Sequence, residues 1–315
     1  MIGRAFAGLA LLLLATGAAA EFPCLDASAP NSAADREPIA PIPSPPAADP
    51  LKLALGERLF GDPRLSADGR LACSSCHDLQ TNGAGNGRGN DVHDQAGHSF
   101  NALTVFNAAL NFRLNWLGNF RSLDDHVESS LQNAHNMRSS VEDVVGRLNA
   151  DSEMARQFRD AYGHTADRRS LLDALTTFER SLLTPGSRFD RWLGGDASAL
   201  SAQELDGYHL FKSLGCSSCH QGVNLGGNLF ERPGIFRPLA GSGPELIRVP
   251  GLRNVAATAP YFHDGSEPSL DAAVRKMAAA QLDRNLSDQQ VDSITAFLRS
   301  LTGNYRGRPV AGAPP

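Results

Sequence analysis

Four of the chain's five cysteines fall in two identical stretches, Cys73-Ser74-Ser75-Cys76-His77 and Cys216-Ser217-Ser218-Cys219-His220. Two cysteines three residues apart on one helical turn reach both vinyl groups of a haem, and the histidine that follows points at the iron. The pattern is that of c-type haem attachment, with His77 and His220 as proximal ligands. A zinc ribbon would bring its two cysteine pairs close together in sequence, whereas these lie in opposite halves of the chain and each has its own histidine. A thioredoxin-like dithiol would leave the duplication unexplained.

The sixth ligand of each iron decides what such a protein does. Behind a cleaved leader, the chain offers Met137, Met154 and Met277 as thioethers. Each also reads as core packing on an amphipathic helix.

The elements that must hold these groups are helical. Leu171, Leu172, Leu175, Phe178 and Leu182 recur at three- and four-residue spacing and form one apolar face. Ser201 with Glu204, and Ser287 with Gln290, are capping boxes that start helices, and Gly303 reads as a helix stop. Strand alternation is scarce, so the expected fold is mainly α. Gly56-Glu57-Arg58-Leu59-Phe60 before the first motif and Gly207-Tyr208-His209-Leu210-Phe211 before the second form a faint internal repeat. With 315 residues, the chain has room for two cytochrome c-like haem domains. Thr184-Pro185-Gly186, soon followed by Gly194-Gly195, places the boundary between domains at 51–186 and 187–303.

Residues 1–20, with Arg4, the apolar run Leu9 to Ala15 and Ala18-Ala19-Ala20, read as a signal peptide. Export to the periplasm follows, where c-type haem is attached and isolated cysteine pairs tend to oxidise. Residues 21–50 form a proline- and alanine-rich tether or wrapping arm, in which Cys24 is an incidental thiol. Residues 304–315 read as a disordered tail, and no later stretch is apolar enough to span a membrane. A formal net charge of -5 gives no basic footprint for nucleic acid.

Across roughly residues 50 to 302 the chain resembles the bacterial dihaem cytochrome c peroxidases. The resemblance is carried by Leu55 to Phe60 with Asp62-Pro63-Arg64-Leu65-Ser66, by Asn107 to Trp116, by Gly222-Val223-Asn224-Leu225-Gly226-Gly227, and by Leu252-Arg253-Asn254 with Thr258 to His263. It implies Met277 as sixth ligand of the second haem, and His93 as a releasable sixth ligand of the first, with His98 its rival. The glycine-rich run Asn82 to Gly97 suits a loop that rearranges. The resemblance also implies that Trp116 passes electrons between the haems, where the bland reading is a core indole. It places a calcium site at Asn101, Thr258 and Pro260, and it implies a homodimer.

The chain departs from that family where peroxide is cleaved. The family's distal glutamine and glutamate align with His126 and Asn136, and asparagine is no general base. His126 is the candidate proton shuttle, with Glu128 and His135 weaker substitutes; its alternative reading is a solvated helix residue paired to an aspartate. The expected function is reduction of hydrogen peroxide to water with electrons from a small cytochrome c or cupredoxin. Two alternatives stand beside it: a dihaem enzyme that uses a ferryl state to oxidise a partner protein, and an electron carrier or redox sensor whose first haem stays bis-histidine.

Overall fold

A computed structural model describes residues 37–85, 99–239 and 243–312, together with the backbone of Val92 and His93. The leader, Cys24 and His98 lie outside the described residues, and those described belong to a compact unit that begins at Ser32.

Helices dominate, as the apolar spacing predicts. The first half carries α1 (Pro50–Phe60), α2 (Leu123–Gln132), α3 (Val141–Ala150), α4 (Ser152–Tyr162) and α5 (Arg168–Ser181). The second carries α6 (Arg188–Leu193), α7 (Ala202–Ser213), α8 (Leu270–Leu282) and α9 (Asp288–Ser300). Both expected capping boxes are formed. Ser201 N donates to Glu204 Oε2 at 2.9 Å ahead of α7, and Ser287 N donates to Gln290 Oε1 at 2.9 Å ahead of α9. Three two-stranded antiparallel ribbons complete the described structure: β1 (Val92–His93) with β2 (Ser99–Phe100), β3 (Phe230–Glu231) with β4 (Ile247–Arg248), and β5 (Asn304–Tyr305) with β6 (Arg308–Pro309).

The internal repeat has a packing cause. α1 packs chiefly on α5 and α7 on α9, and the repeat glycine is where each pair touches. A Cβ at Gly56 would overlap Ala174 O of α5, and one at Gly207 would overlap Ser293 O of α9. Leu55, Leu59, Leu148, Phe158, Leu171 and Leu175 fill the core beneath α1 and α5. Phe189, Tyr208, Phe211, Ile294 and Phe297 fill the one beneath α7 and α9. Each such side chain contributes about 1.5–3 kcal/mol by leaving water.

A second correspondence lies where the halves meet. Asn107 (φ 61°) and Asn254 (φ 62°) both adopt the left-handed conformation that asparagine tolerates, and each opens a 3₁₀ turn, Ala108–Leu110 and Val255–Ala257. Their Nδ2 atoms converge on one hydroxyl, Thr184 Oγ1, at 2.8 and 2.9 Å. Gly303 belongs to the same junction. α9 already ends at Ser300, and a Cβ at Gly303 would overlap Thr184 O, so close approach rather than helix termination demands a glycine there.

Residues 39–42 of the arm pack against the second half. Ile39 is buried in its core, Ala40 O accepts from Arg253 Nη2 at 2.8 Å, and Ile42 N donates to Asp190 Oδ1 at 3.2 Å. Arg253 and Asp190 themselves form a buried ion pair at 2.7 Å.

The chain end departs from expectation. Residues 304–312, read as part of a disordered tail, form the β5–β6 hairpin, with Val310 and Tyr305 packed on Phe60, Phe106 and Phe178 and Arg306 paired to Glu57 at 2.6 Å. Its polar, glycine-containing sequence hides two apolar anchors that meet their partners only in the folded chain. Among the described residues, no helix is long and apolar enough to cross a membrane.

Candidate active site

Each Cys-Ser-Ser-Cys-His stretch folds into the same local object. Cys73–Ser75 and Cys216–Ser218 are 3₁₀ turns, and the amides of His77 and His220 donate to Cys73 O and Cys216 O, both at 3.0 Å. The five residues of each stretch thus close into one tight turn. His77 Nδ1 lies 3.0 Å from Gly83 O and His220 Nδ1 lies 3.2 Å from Leu225 O. An Nδ1–H that donates to a carbonyl leaves the Nε2 lone pair for a metal. Burial lowers the proton affinity of both rings, which favours that neutral form. As free thiols, Cys73 and Cys216 are pushed up by burial, to about 12 and about 11. Thioether attachment to a haem would remove both groups from titration.

Met277 lies half-buried on α8, three and four residues beyond Val274 and Ala273, which pack into the second core. It therefore shares their inward face. His93 pairs with Ser99 in the β1–β2 ribbon, and its side chain lies outside the described residues.

Trp116 is buried and joins the two halves. Its Nε1 donates to Asn101 O at 2.7 Å, its carbonyl accepts from Arg248 N at 2.8 Å, and its ring meets His263 edge-on at 6.3 Å. Of the three residues expected to hold calcium, Asn101 and Pro260 meet. Asn101 Nδ2 lies 2.7 Å from Pro260 O, two residues beyond Thr258, and the Asn101 amide N donates to His263 O.

His126 is on α2, not solvated but half-buried, with its ring edge-on to Phe120 at 5.3 Å. Burial, then the charges of His77 and Arg248, lower its pKa to about 4. The imidazole thus stands within electrostatic reach of His77 and is neutral at ordinary pH. The aspartate pairing that would make it a bland helix residue is not formed: Asp125 caps α2 through Ser122, and Asp124 faces Arg180 at 3.3 Å. The substitutes separate. Glu128 points away to an ion pair with Arg168, while Asn136 and His135 sit in the turn after α2.

Several residues of this region have no role that the sequence assigned to them. Arg248 is 3% exposed; its Nε donates to Asn115 O at 2.8 Å, but Nη1 meets no partner among the described residues, and burial lowers its pKa to about 10. Arg113 Nε and both ring nitrogens of His263 are likewise buried and unpartnered among the described residues. Arg248 and His263 both adjoin Trp116, and a buried cation such as the Arg248 guanidinium is expensive without a counter-charge. A haem, whose propionates are carboxylates, supplies what they lack, so the residues present fit the group. The signal for Arg248 was a lone charge inside the apolar run Leu246-Ile247-Arg248-Val249. Glu179, whose carboxyl is pushed up to about 8 by burial, acts electrostatically on Cys73, and nothing in its helical periodicity marked it.

Comparison with known proteins agrees with this arrangement. A family model for di-haem cytochrome c peroxidase matches residues 50–198, and one for cytochrome c matches residues 205–302. The chain is 39% identical over 287 residues to the cytochrome c peroxidase Ccp of Escherichia coli K12, covering 85% of this chain but only 62% of that protein. It is 35% identical over 299 residues to the cytochrome c551 peroxidase of Nitrosomonas europaea, covering 90% of this chain and 89% of that one. A solved MauG-like protein associated with microbial copper homeostasis has a TM-score of 0.71 at 25% identity, over 83% of this chain and 93% of that one. With two Cys-x-x-Cys-His turns of one geometry on a mainly α fold, the chain belongs to the di-haem cytochrome c peroxidase family and carries two c-type haems.

Proposed function

We propose that the protein works in the periplasm, after removal of residues 1–20, and reduces hydrogen peroxide to water with electrons from a small cytochrome c or cupredoxin. Cys73 and Cys76 would hold the first haem, with His77 and His93 to bind its iron; Cys216 and Cys219 would hold the second, with His220 and Met277. The first belongs to a domain at 51–186 and the second to one at 187–303. When bound, the haems store single electrons and pass them to peroxide. Everything else falls to side chains of the chain.

The observation that carries the reading is the position of His126, neutral and within electrostatic reach of both His77 and Arg248. A neutral imidazole there accepts the proton of one peroxide oxygen and returns it to the other as the O–O bond breaks. Two electrons and two further protons complete two waters. Trp116 offers an aromatic path from the second haem to the first, its carbonyl and ring held by the second half and its indole N–H by the first. Release of His93 would open the first site to peroxide. Calcium at Asn101, Thr258 and Pro260 would stiffen the same seam, and the working form is a homodimer.

Stopped flow tests the reading: the half-reduced dihaem protein is mixed with peroxide while a reduced small cytochrome c is followed. Donor oxidation coupled to peroxide loss is the expected result. Peroxide loss with a sluggish donor would instead favour oxidation of a partner protein, a reading that the likeness to a MauG-like structure and the asparagine at position 136 support. No reaction with peroxide would leave a carrier or sensor.

A further inference from the structure

Both rings, His77 and His220, face the carbonyl of a short turn, His220 with the Pro250 backbone as a second partner, and each turn is anchored on the opposite half of the chain. Gly83 O, which faces His77 Nδ1, follows Asn82, a fully buried residue. Asn82 Oδ1 accepts from Ala84 N at 2.9 Å, and its Nδ2 donates to Ala257 O at 2.7 Å, 175 residues away. Leu225 O, which faces His220 Nδ1, follows Asn224, also buried. Asn224 Nδ2 donates to Asn111 Oδ1 at 2.7 Å and to Asn107 O at 3.3 Å. The anchors correspond as well: Ala257 ends one of the two equivalent 3₁₀ turns, and Asn107 and Asn111 bracket the other. Gly83 and Leu225 both take positive φ, 65° and 48°, and their carbonyls meet the imidazoles from there.

We propose that Asn82 and Asn224 are positioning residues that tie each proximal histidine to the opposite half, so that the reduction potential of each haem depends on contacts made by the other half. A carbonyl held against Nδ1 makes the imidazole a more basic ligand and favours ferric iron. Releasing the turn weakens that hydrogen bond and raises the potential. Neither asparagine touches the reacting atoms. The inference rests on His77 and His220 as iron ligands.

Asn111→Ala tests it, because it removes Asn224's shorter anchor from a half-buried position remote from either motif. Redox titration of the dihaem protein should show the second haem shifted at least threefold toward the reduced state, about 28 mV for a one-electron couple, with the first haem unmoved. Asn82→Ala should do the reverse, shifting the first haem alone. An unshifted second haem in Asn111→Ala, with both haems attached, would overturn the proposal, as would a shift confined to the first. If Asn82→Ala fails to retain its haems, Asn111→Ala decides alone. His220→Gly separates the underlying reading: an unchanged spectrum of the second haem there would reject the ligand, not the positioning.

Discussion

At the scale of single residues, the groups near the first motif are distinguished by the protonation states their burial enforces. His126→Ala should lower peroxide turnover by roughly 10²–10⁴-fold while both haems remain attached, the range expected for a lost general acid–base group. Undiminished turnover would remove His126 from the chemistry. Glu179 gives a pH signature. Burial raises its pKa to about 8, with Arg180 opposing and Asp124 assisting, so the folded chain keeps a proton that the unfolded chain releases near 4.5. The resulting stabilisation is complete below about pH 4.5 and is lost as the pH rises through about 8. The melting temperature of the natural protein should therefore fall, relative to Glu179→Gln, between about pH 5 and pH 9. Parallel profiles would show that the Glu179 carboxyl is ionised in the folded state.

At the scale of elements, the two helix pairs stand on glycines that differ from the other helical glycine. In an open helix position, glycine to alanine stabilises by about 1 kcal/mol. Gly146 on α3 has nothing near a prospective Cβ, so Gly146→Ala should raise the denaturant midpoint. Gly56→Ala and Gly207→Ala drive a methyl into a backbone oxygen of the facing helix, which cannot rotate away as a side chain does. Overpacking of about 1–3 kcal/mol then outweighs the propensity gain, and both midpoints should fall. Equal midpoints for Gly146→Ala and Gly207→Ala would mean that α7 and α9 slide apart freely.

At the scale of the whole molecule, the arm and the ion pair Arg253–Asp190 act as one clasp. Asp190 accepts from Ile42 N and Ser187 N and pairs with Arg253, which in turn holds Ala40 O and Val223 O. Removing one member of a buried pair leaves the other uncompensated, so Asp190→Ala should cost about 3–5 kcal/mol. It should also release the arm, seen as faster proteolysis near Ile39 and Ile42. Protection of those sites in the variant would show that Ile39 alone secures the arm, and Ile39→Ala, expected to cost about 2–5 kcal/mol, would then be the decisive change.

The sequence by itself determined what depends on neighbours a few residues apart. The Cys-x-x-Cys-His turns, the two capping boxes, the apolar face of α5 and the repeated glycine before each motif are local patterns, and local geometry follows from them. The tertiary structure decided what depends on meeting a distant partner. Arg248 shows itself as an uncompensated cation only once the apolar run around it is buried, and Glu179 shifts only where α5 meets the first motif. Asn82 and Asn224 show their reach only when the halves meet, and the chain end becomes a hairpin only because Val310 and Tyr305 find Phe60 and Phe106. His126 lies between these cases: its alignment could be read along the chain, but whether it faced solvent or the first motif was decided by how α2 packs beside Phe120 and Arg248. Burial and charge pairing are sums over neighbours far apart in sequence, so no periodicity carries them.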